Sequence, residues 1–262
     1  MPSLERRVAV DAARAAGRLL IDALPRSHRI ASKSSVTDLV TEMDTRAEAL
    51  IVERLRSAFP DDAVLGEESG AAAGRSGRRW IIDPLDGTTN YAHGVPIFAV
   101  SIALEAASRV ELGVAYLPWD DELYIAERGA GASLDGARLA VSATETLDES
   151  LLVTGFPYDI RVQPDNNLRE YGAFSLRSRG VRRSGAAVAD LAYVAAGRFD
   201  GYWELRLQPW DVAAGTLLVE EAGGRVTGID GGPLDLAAPS LVASNGRIHE
   251  DILATLKEIR SR

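Results

Sequence analysis

The chain has 262 residues, of which 46% are hydrophobic and 26% are charged, values that are typical of a folded globular protein. Acidic residues outnumber Lys and Arg by 38 to 29, and the resulting formal charge of −9 argues against general affinity for nucleic acid. The absence of cysteine excludes disulfides, thiolate metal sites and cysteine nucleophiles. At roughly 150 residues per domain, the length suits one large domain or two small ones.

The sequence carries no sign of export or of membrane insertion. Its first residues contain no apolar segment of the secretory type, and no apolar run approaches the length of about 18 residues that a spanning helix needs. We therefore expect a cytoplasmic protein with no membrane partner.

The hydrophobic pattern of the first half predicts two helices followed by a β-rich region. The predicted elements are helices over Ser3–Leu24 and Met43–Phe59, strands over Ala63–Gly66 and Trp80–Asp83, and an antiparallel meander over Ile97–Ala140. A polar stretch over Ser27–Thr37 separates the two helices.

Strands and helices alternate in the second half, which indicates a more α/β-like region. The predicted strands are Leu151–Gly155, Phe199–Glu204 and Leu241–Ala243, and the predicted helices are Asp165–Ser178, Ala187–Ala196, Asp211–Ala222 and His249–Ile259. We therefore divide the chain into an N-terminal α+β half, residues 1–145, and a C-terminal α/β half, residues 146–262, within one compact unit.

The densest polar chemistry follows one predicted strand. Asp83 and Asp86 end that strand, Pro84 is predicted to stop its pairing, and Gly87 and Thr88 then open a helix. Carboxylates at a strand end suit hard cations such as Mg²⁺, and free N–H groups at a helix start suit a phosphate. The alternative is that these residues only punctuate a turn.

Three further carboxylates stand at predicted ends of helices or strands. Taken singly, Thr41 or Asp44 suits the N-cap of one helix, Asp211 suits the N-cap of another, and Glu67 suits a solvated loop. Taken together with the carboxylates at the strand end, they could converge on one metal cluster, which spacing alone does not decide.

Other catalytic motifs do not fit the sequence. The segment Gly129–Gly131 lacks the third glycine of a dinucleotide-binding loop, and neither Lys33 nor Lys257 follows a glycine as in a phosphate-binding loop. The three histidines, His28, His93 and His249, share no metal-ligand spacing and are interpreted as surface or packing residues.

Two segments resemble the signature motifs of the inositol monophosphatase family, namely Asp83–Asn90 (DPLDGTTN) and Trp210–Gly215 (WDVAAG). The members of this family are lithium-sensitive, Mg²⁺-dependent phosphatases. Further matches are Lys33–Ser35, Asp38–Thr41, Asp44, Gly66–Ser69, Gly197–Glu204, Glu221–Gly224 and Ser244–Gly246. They occur in the family's order, and their joint occurrence is far more specific than any single motif.

The resemblance implies an α+β fold, a layered αβαβα sandwich of the inositol monophosphatase and fructose-1,6-bisphosphatase type, and a homodimer. It implies two to three Mg²⁺ ions per site, held by Glu67, Asp83, the carbonyl of Leu85, Asp86 and Asp211. It also implies direct attack on phosphorus by a metal-activated water, without a covalent intermediate.

The same resemblance assigns the remaining roles by position. Glu67 and Thr88 would orient the water, and Asp44 would support the Thr88 hydroxyl. The N–H groups of Gly87 and Thr88 would bind phosphate. Substrate hydroxyls would contact residues that are predicted to line the site, namely Asp86, Gly185, Ala187 and Glu204.

The implied substrate is a small phosphorylated polyol or sugar, and Glu204 favours inositol 1-phosphate because a carboxylate can accept hydroxyl hydrogen bonds. The alternative for Glu204 is a pair with Arg206. The same chemistry on fructose 1,6-bisphosphate, histidinol phosphate, NADP or adenosine 3′,5′-bisphosphate remains open. So does a non-catalytic regulatory homologue. A haloacid-dehalogenase phosphatase is disfavoured, because its two aspartates are one residue closer together.

The sequence does not decide the roles of several basic residues. Lys33 is interpreted as a loop lysine with a supporting role near the site. The arginines of the second half are interpreted as solvated or interface charges rather than as a second phosphate site; they are Arg161, Arg177, Arg179, Arg182 and Arg183.

Overall fold

The computed structural model describes residues 2–24, 30–32 and 39–261, so Lys33 and most of the predicted polar stretch lie outside the described residues. The helices are α1 (Leu4–Ala23), α2 (Glu42–Ala58), α3 (Thr88–Ala92), α4 (Leu168–Ser175), α5 (Ala187–Ala195), α6 (Pro209–Glu221) and α7 (His249–Arg260). The strands are β1 (Ile30–Ser32), β2 (Leu39–Thr41), β3 (Ala63–Gly66), β4 (Gly70–Ala72), β5 (Arg78–Asp86), β6 (Ala99–Ala106), β7 (Arg109–Leu117), β8 (Glu122–Glu127), β9 (Gly131–Leu134), β10 (Ala137–Arg138), β11 (Leu151–Thr154), β12 (Gly180–Arg182), β13 (Gly201–Glu204), β14 (Arg225–Gly228) and β15 (Leu241–Ser244).

The first layer consists of α1 and α2. Ser3 caps α1, because its side chain accepts the Arg6 N–H at 3.1 Å. The buried face of α1 is mostly alanine, and such small side chains let the two helices pack closely against each other and against β5, β6 and β7.

An eight-stranded sheet forms the second layer, in the order β10-β9-β8-β7-β6-β5-β3-β4, with β3 and β5 parallel and all other neighbours antiparallel. The prediction that Pro84 ends the pairing of β5 is wrong. Asp83 pairs with Ser101, the register then shifts, and Asp86 pairs with Ala99. A proline is tolerated in this central strand because it lies within the irregularity, where no ladder N–H is required.

The middle layer consists of α5 and α6, which separate the large sheet from a five-stranded sheet in the order β12-β11-β13-β15-β14. Helix α6 is buried almost continuously from Val212 to Val219, as expected for a helix that lies between two sheets. Helices α4 and α7 cover the outer face of the smaller sheet.

Three apolar clusters fill the spaces between these layers. One lies between α1, α2 and the large sheet, the second surrounds α5 and α6, and the third joins the small sheet to α4 and α7. The resulting order of helix, sheet, helix, sheet and helix is the predicted layered αβαβα sandwich, so the α+β fold class is confirmed.

Most predicted elements are present, with ends shifted by a few residues, although α4 is shorter than its prediction. The strands that the sequence did not predict are short and lie at sheet edges; they are β1, β2, β4, β12 and β14. Of these, β1 and β2 form a separate antiparallel pair. The large sheet uses residues 63–138 and the small sheet residues 151–244. The division into halves at residue 145 stays a prediction. Within the described ranges, no helix is both long and apolar enough to cross a membrane.

Candidate metal and phosphate site

Two carboxylates lie at the C-terminal end of β5. Asp83 is almost fully buried, and its Oδ1 accepts the Leu85 N–H at 3.0 Å. The oxygens of Asp86 accept the N–H groups of Ala187 at 3.2 Å and Val188 at 2.7 Å, which are the first two residues of α5. Helix α5 thus uses its unpaired N-terminal donors to hold a carboxylate from the large sheet. Ala187 was predicted to contact substrate, and its N–H already donates to Asp86.

A sharp turn follows Asp86 and begins α3. Gly87 has a φ of 87°, and a Cβ there would lie 2.9 Å from the Ile97 carbonyl oxygen, so no other residue fits without distortion. The Thr88 hydroxyl lies 2.9 Å from Asp44 Oδ1 and 3.0 Å from the Leu85 carbonyl oxygen. The turn therefore places the first N–H groups of a helix directly after the carboxylates of β5.

Asp44 is fixed from its other side by the start of α2. Its Oδ2 accepts the Thr41 N–H at 2.8 Å and the Thr41 hydroxyl at 2.7 Å, and the Thr41 hydroxyl in turn accepts the Met43 N–H. This arrangement is a capping box in which Thr41, and not Asp44, is the N-cap. Of the two predicted N-cap candidates, Thr41 is confirmed and Asp44 is wrong. The other oxygen of Asp44, Oδ1, accepts the Thr88 hydroxyl.

Asp211 occupies the equivalent place in α6. Its Oδ2 accepts the Gln208 N–H at 2.7 Å, and Gln208 is the N-cap of the helix. The prediction that Asp211 is the N-cap of the helix is therefore wrong by three residues, because Asp211 is the third residue of α6. A carboxylate at this place is held by one oxygen and can offer the other to a ligand.

Glu67 lies on the turn between β3 and β4. Its N–H donates to the Ile82 carbonyl at 3.2 Å, which ties the turn to β5 one residue before Asp83. The next two N–H groups, of Glu68 and Ser69, donate to the buried carboxylate of Glu48 on α2. Sequence reasoning missed Glu48, because a glutamate within an amphipathic helix looks like a solvated charge.

A cavity of about 380 Å³ opens beside these groups. Seven of the predicted site residues line it, namely Asp86, Gly87, Thr88, Gly185, Ala187, Glu204 and Asp211. The lining does not include Asp44, Glu67, Asp83 and Leu85. Hydrogen bonds join Asp44 and Leu85 to Thr88, and charge interactions join Glu67 and Asp83 to the carboxylates in the lining. The lining also includes aliphatic and aromatic side chains, namely Phe156, Tyr158, Ile160, Leu205 and Leu207.

Glu204 closes the cavity at the end of β13. Its Oε2 accepts the Tyr202 hydroxyl at 2.7 Å, and a Cβ at Gly155 would lie 2.2 Å from its carboxylate oxygens. Glycine at position 155 therefore makes room for the carboxylate. The alternative that Glu204 pairs with Arg206 is wrong, because Arg206 forms a bidentate ion pair with Asp159.

The structure also corrects the interpretation of one arginine. Arg183 lines the cavity, and its charge lowers the pKa values of Glu204 and Asp190 against the larger opposing effect of burial. Asp190 is buried and accepts a hydrogen bond from Ser184. Arg183 is therefore a site residue and not merely a surface charge, whereas Arg177 forms an ion pair with Glu258 away from the cavity.

The charges of the predicted ligands raise one another's pKa values. Burial, and then the charges of Glu67, Asp86 and Asp211, raise the pKa of Asp83 well above its usual range. Burial likewise raises the pKa of Asp211; the Gln208 N–H opposes the rise, and the charges of Glu67 and Asp86 add to it. Four carboxylates that sense one another's charge would be stabilised by a cation among them.

Two further carboxylates that line the cavity, Asp86 and Glu204, are also perturbed. Burial raises the pKa of Asp86 to about 7 even though the N–H groups of Val188 and Ala187 oppose the change. Burial raises the pKa of Glu204 to about 7, against the Tyr202 hydroxyl and the charge of Arg183. Perturbed carboxyl groups in a cavity are typical of functional sites.

The donor set has the chemistry that a hard divalent cation takes. All predicted ligands are oxygen atoms, from carboxylates and one carbonyl, as Mg²⁺ prefers. Among the described residues, no three acidic or histidine side chains already meet at distances that would hold a metal ion. The ligand assignment of Glu67, Asp83, Leu85, Asp86 and Asp211 therefore stays a prediction.

The fold and the site together define a class, namely layered α+β proteins in which carboxylates and a helix start converge on one cavity. Residues 3–261 match the sequence model of the inositol monophosphatase family. An "Inositol-1-monophosphatase" of Synechocystis sp. is 45% identical over 95% of this chain and 87% of the relative. A "Nus factor SuhB" of Pseudomonas aeruginosa is also 45% identical, over 95% of this chain and 94% of the relative.

Solved structures agree with the sequence comparisons. The inositol monophosphatase of Anabaena (Nostoc) sp. superposes with a TM-score of 0.89 at 44% identity, over 97% of this chain and 95% of that chain. The chain described here belongs to the inositol monophosphatase family.

Proposed function

We propose that this protein is a Mg²⁺-dependent phosphate monoester hydrolase that acts on inositol 1-phosphate or a similar small phosphorylated polyol. The observation that carries the proposal is a set of carboxylates whose charges act on one another beside a cavity. Asp83 and Asp86 are buried, and Glu67 and Asp211 are half-buried. Family membership and the name of the Synechocystis relative support the same activity.

In this proposal the carboxylates form two overlapping ligand groups for two to three Mg²⁺ ions. Glu67, Asp83 and the Leu85 carbonyl make up the first group, and Asp83, Asp86 and Asp211 the second. When bound, the ions would supply positive charge to the phosphate, lower the pKa of the attacking water and stabilise the leaving oxygen.

The side chains around Thr88 would then orient the nucleophile. Asp44 Oδ1 takes the hydroxyl hydrogen of Thr88, so the Thr88 oxygen is free to accept a hydrogen bond from a water molecule. Glu67 would accept the second hydrogen of that water. With both hydrogens engaged, a lone pair of the water points at the phosphorus for direct in-line attack.

The remaining groups would hold the substrate. The N–H groups of Gly87 and Thr88 would bind phosphate oxygens, as helix starts commonly do. Glu204, with one oxygen held by Tyr202, would accept a hydrogen bond from a polyol hydroxyl, and the backbone of Gly185 would lie beside it.

The test is phosphate release with and without Mg²⁺ from five substrates: inositol 1-phosphate, fructose 1,6-bisphosphate, histidinol phosphate, NADP and adenosine 3′,5′-bisphosphate. We expect Mg²⁺-dependent release, fastest from inositol 1-phosphate, and loss of release with a chelator. Mg²⁺-dependent release that is fastest from another substrate would keep the hydrolase and change its specificity. No Mg²⁺-dependent release from any of the five would overturn the hydrolase.

A second candidate function is regulatory, and the name of the Pseudomonas relative, a Nus factor, favours it. A purely regulatory homologue has no need of a complete ligand set, whereas every predicted carboxylate ligand is present in this chain. We therefore propose catalysis as the primary function. The phosphate-release assay separates the two, because a purely regulatory protein would release no phosphate.

A further inference from the structure

The turn that carries Glu67 is held by a buried carboxylate from another layer of the fold. Glu48 lies on α2 and is only 3% exposed. Its Oε2 accepts the Glu68 N–H at 2.9 Å and its Oε1 accepts the Ser69 N–H at 2.8 Å. One side chain therefore fixes two consecutive peptide groups immediately after Glu67.

Together with a third bond, this contact fixes the backbone on both sides of Glu67. The Glu67 N–H donates to the Ile82 carbonyl, so three consecutive N–H groups of the turn have defined acceptors. Ile82 precedes Asp83, and the turn is thereby tied to the strand that carries the other predicted ligands. The direction in which the Glu67 side chain leaves the backbone follows from these three bonds.

The residue before Glu67 fits the same arrangement. A Cβ at Gly66 would lie 2.6 to 2.8 Å from the carboxylate atoms of Glu48, closer than side-chain carbons approach other atoms. Gly66 is in an ordinary strand conformation and pairs with Gly70 and Ile82, so its backbone does not require glycine. The absence of a side chain at position 66 leaves the space that the Glu48 carboxylate occupies.

We propose that Glu48 is a positioning residue that orients Glu67 toward a divalent cation, with Gly66 providing the space that this requires. The inference rests on the proposed function, since it gives Glu67 the role of a metal ligand. Glu48 itself touches neither the cation nor the substrate. Groups that orient a metal ligand in this way typically change metal affinity by about 10- to 100-fold when they are replaced.

The experiment compares the metal-free full-length protein with Glu48→Gln, which keeps the size of the side chain but has only one acceptor oxygen. Two quantities are measured: the Mg²⁺ dissociation constant by calorimetry, and the hydrogen-exchange rates of the Glu68 and Ser69 amides by NMR. We expect Mg²⁺ binding to weaken about 10- to 100-fold and at least one of the two amides to exchange faster. Activity at saturating Mg²⁺ should recover most of its original value.

Asp62→Asn is the matched control, because Asp62 is a buried carboxylate at the opposite end of β3 that accepts hydrogen bonds from Arg78 and Trp80. It should lower thermal stability without changing Mg²⁺ affinity. Gly66→Ala is a second, independent variant, and it should weaken Mg²⁺ binding as Glu48→Gln does because it displaces the same carboxylate.

Unchanged Mg²⁺ affinity in folded Glu48→Gln or in Gly66→Ala would overturn the positioning role. So would Glu68 and Ser69 amides that exchange without protection in the unaltered protein. Failure of the proposed function is separate: the unaltered protein would then release no phosphate, while the amide and Mg²⁺ measurements would still test Glu48.

Discussion

Each end of the parallel pair β3 and β5 carries a buried aspartate, Asp62 at one end and Asp83 at the other. The two aspartates differ in the charge of the groups around them. At the N-terminal end, Asp62 accepts hydrogen bonds from Arg78 and from the Trp80 indole N–H at 3.0 Å each, and Arg78 also pairs with Glu5. At the C-terminal end, Asp83 lies among carboxylates, and its Oδ1 accepts the Leu85 N–H. Among the described residues, an arginine pairs with the carboxylate at the first end, whereas other carboxylates act on the one at the second end.

The pKa values express this difference. Burial raises the pKa of Asp62, but hydrogen bonds from Ser76, Arg78 and Trp80 outweigh it, so the pKa lies below its usual value. At Asp83 burial and neighbouring charges act in the same direction, and the pKa lies well above its usual value. Asp62 therefore stabilises the fold, while the ionised form of Asp83 is disfavoured in the metal-free protein and would be favoured by an added cation.

The sharpest contrast is between the same substitution at the two ends. Asp83→Asn removes the carboxylate assigned to two ions, and we expect kcat/KM with Mg²⁺ to fall by at least about a hundredfold, the scale of losing one preorganised electrostatic group. Asp62→Asn should leave kcat/KM near its original value and lower the thermal midpoint instead. Near-normal turnover in Asp83→Asn would remove the shared-ligand role.

The stability of the metal-free protein should depend on pH in opposite ways at the two ends. The pKa of Asp86 in the folded protein is raised to about 7. The contribution of the protonated Asp86 to the free energy of unfolding is therefore fully present below its unfolded pKa of about 4, and it is lost as pH rises through 7. Relative to the unaltered protein, Asp86→Asn should therefore gain about 4 kcal/mol of unfolding free energy between pH 4 and pH 8.

The lowered pKa of Asp62 predicts the reverse sign. Its contribution is present above the unfolded pKa and is lost as pH falls through the folded one, so the cost of Asp62→Asn should shrink in acid. Chemical denaturation of the metal-free proteins at a series of pH values measures both effects. Slopes of the same sign in the two variants would contradict the comparison.

A smaller effect is expected at the substrate end of the cavity. Glu204→Ala should reduce kcat/KM for inositol 1-phosphate about tenfold more than for an aryl phosphate. Only the polyol has hydroxyl groups that can donate hydrogen bonds to the carboxylate. Tyr202→Phe serves as the control, since it keeps the carboxylate and removes only the 2.7 Å bond that holds it. Equal losses on both substrates would exclude Glu204 from specificity.

The sequence predicted the parts of the site that are contiguous along the chain. Asp83, Asp86, Gly87 and Thr88 lie within six residues, so strand end, turn and helix start could be inferred together. The layered fold was predicted from the resemblance rather than from periodicity, which identified the helices and the meander but missed the short edge strands. Three- and four-residue strands are too short to show a period.

The parts that were missed depend on contacts between distant segments. Glu48 is about 20 residues from the turn that it holds, and the spacing of α2 gives no sign that its carboxylate is buried. Pro84 was expected to end β5, but a shift of register accommodates it. That shift depends on the partner strand β6, so the local sequence could not show it. Arg183 was assigned to the surface, because no local pattern distinguishes a cavity arginine from a solvated one.

The most direct test of the central claim is a crystal structure of the full chain grown with Mn²⁺, with anomalous differences measured at the manganese edge. We expect peaks between Glu67, Asp83, Asp86 and Asp211, and none at the Asp62 end of the same strands. Peaks only elsewhere, or no peaks at a concentration that supports phosphate release, would contradict the assignment of a metal site to the carboxylate end of β5.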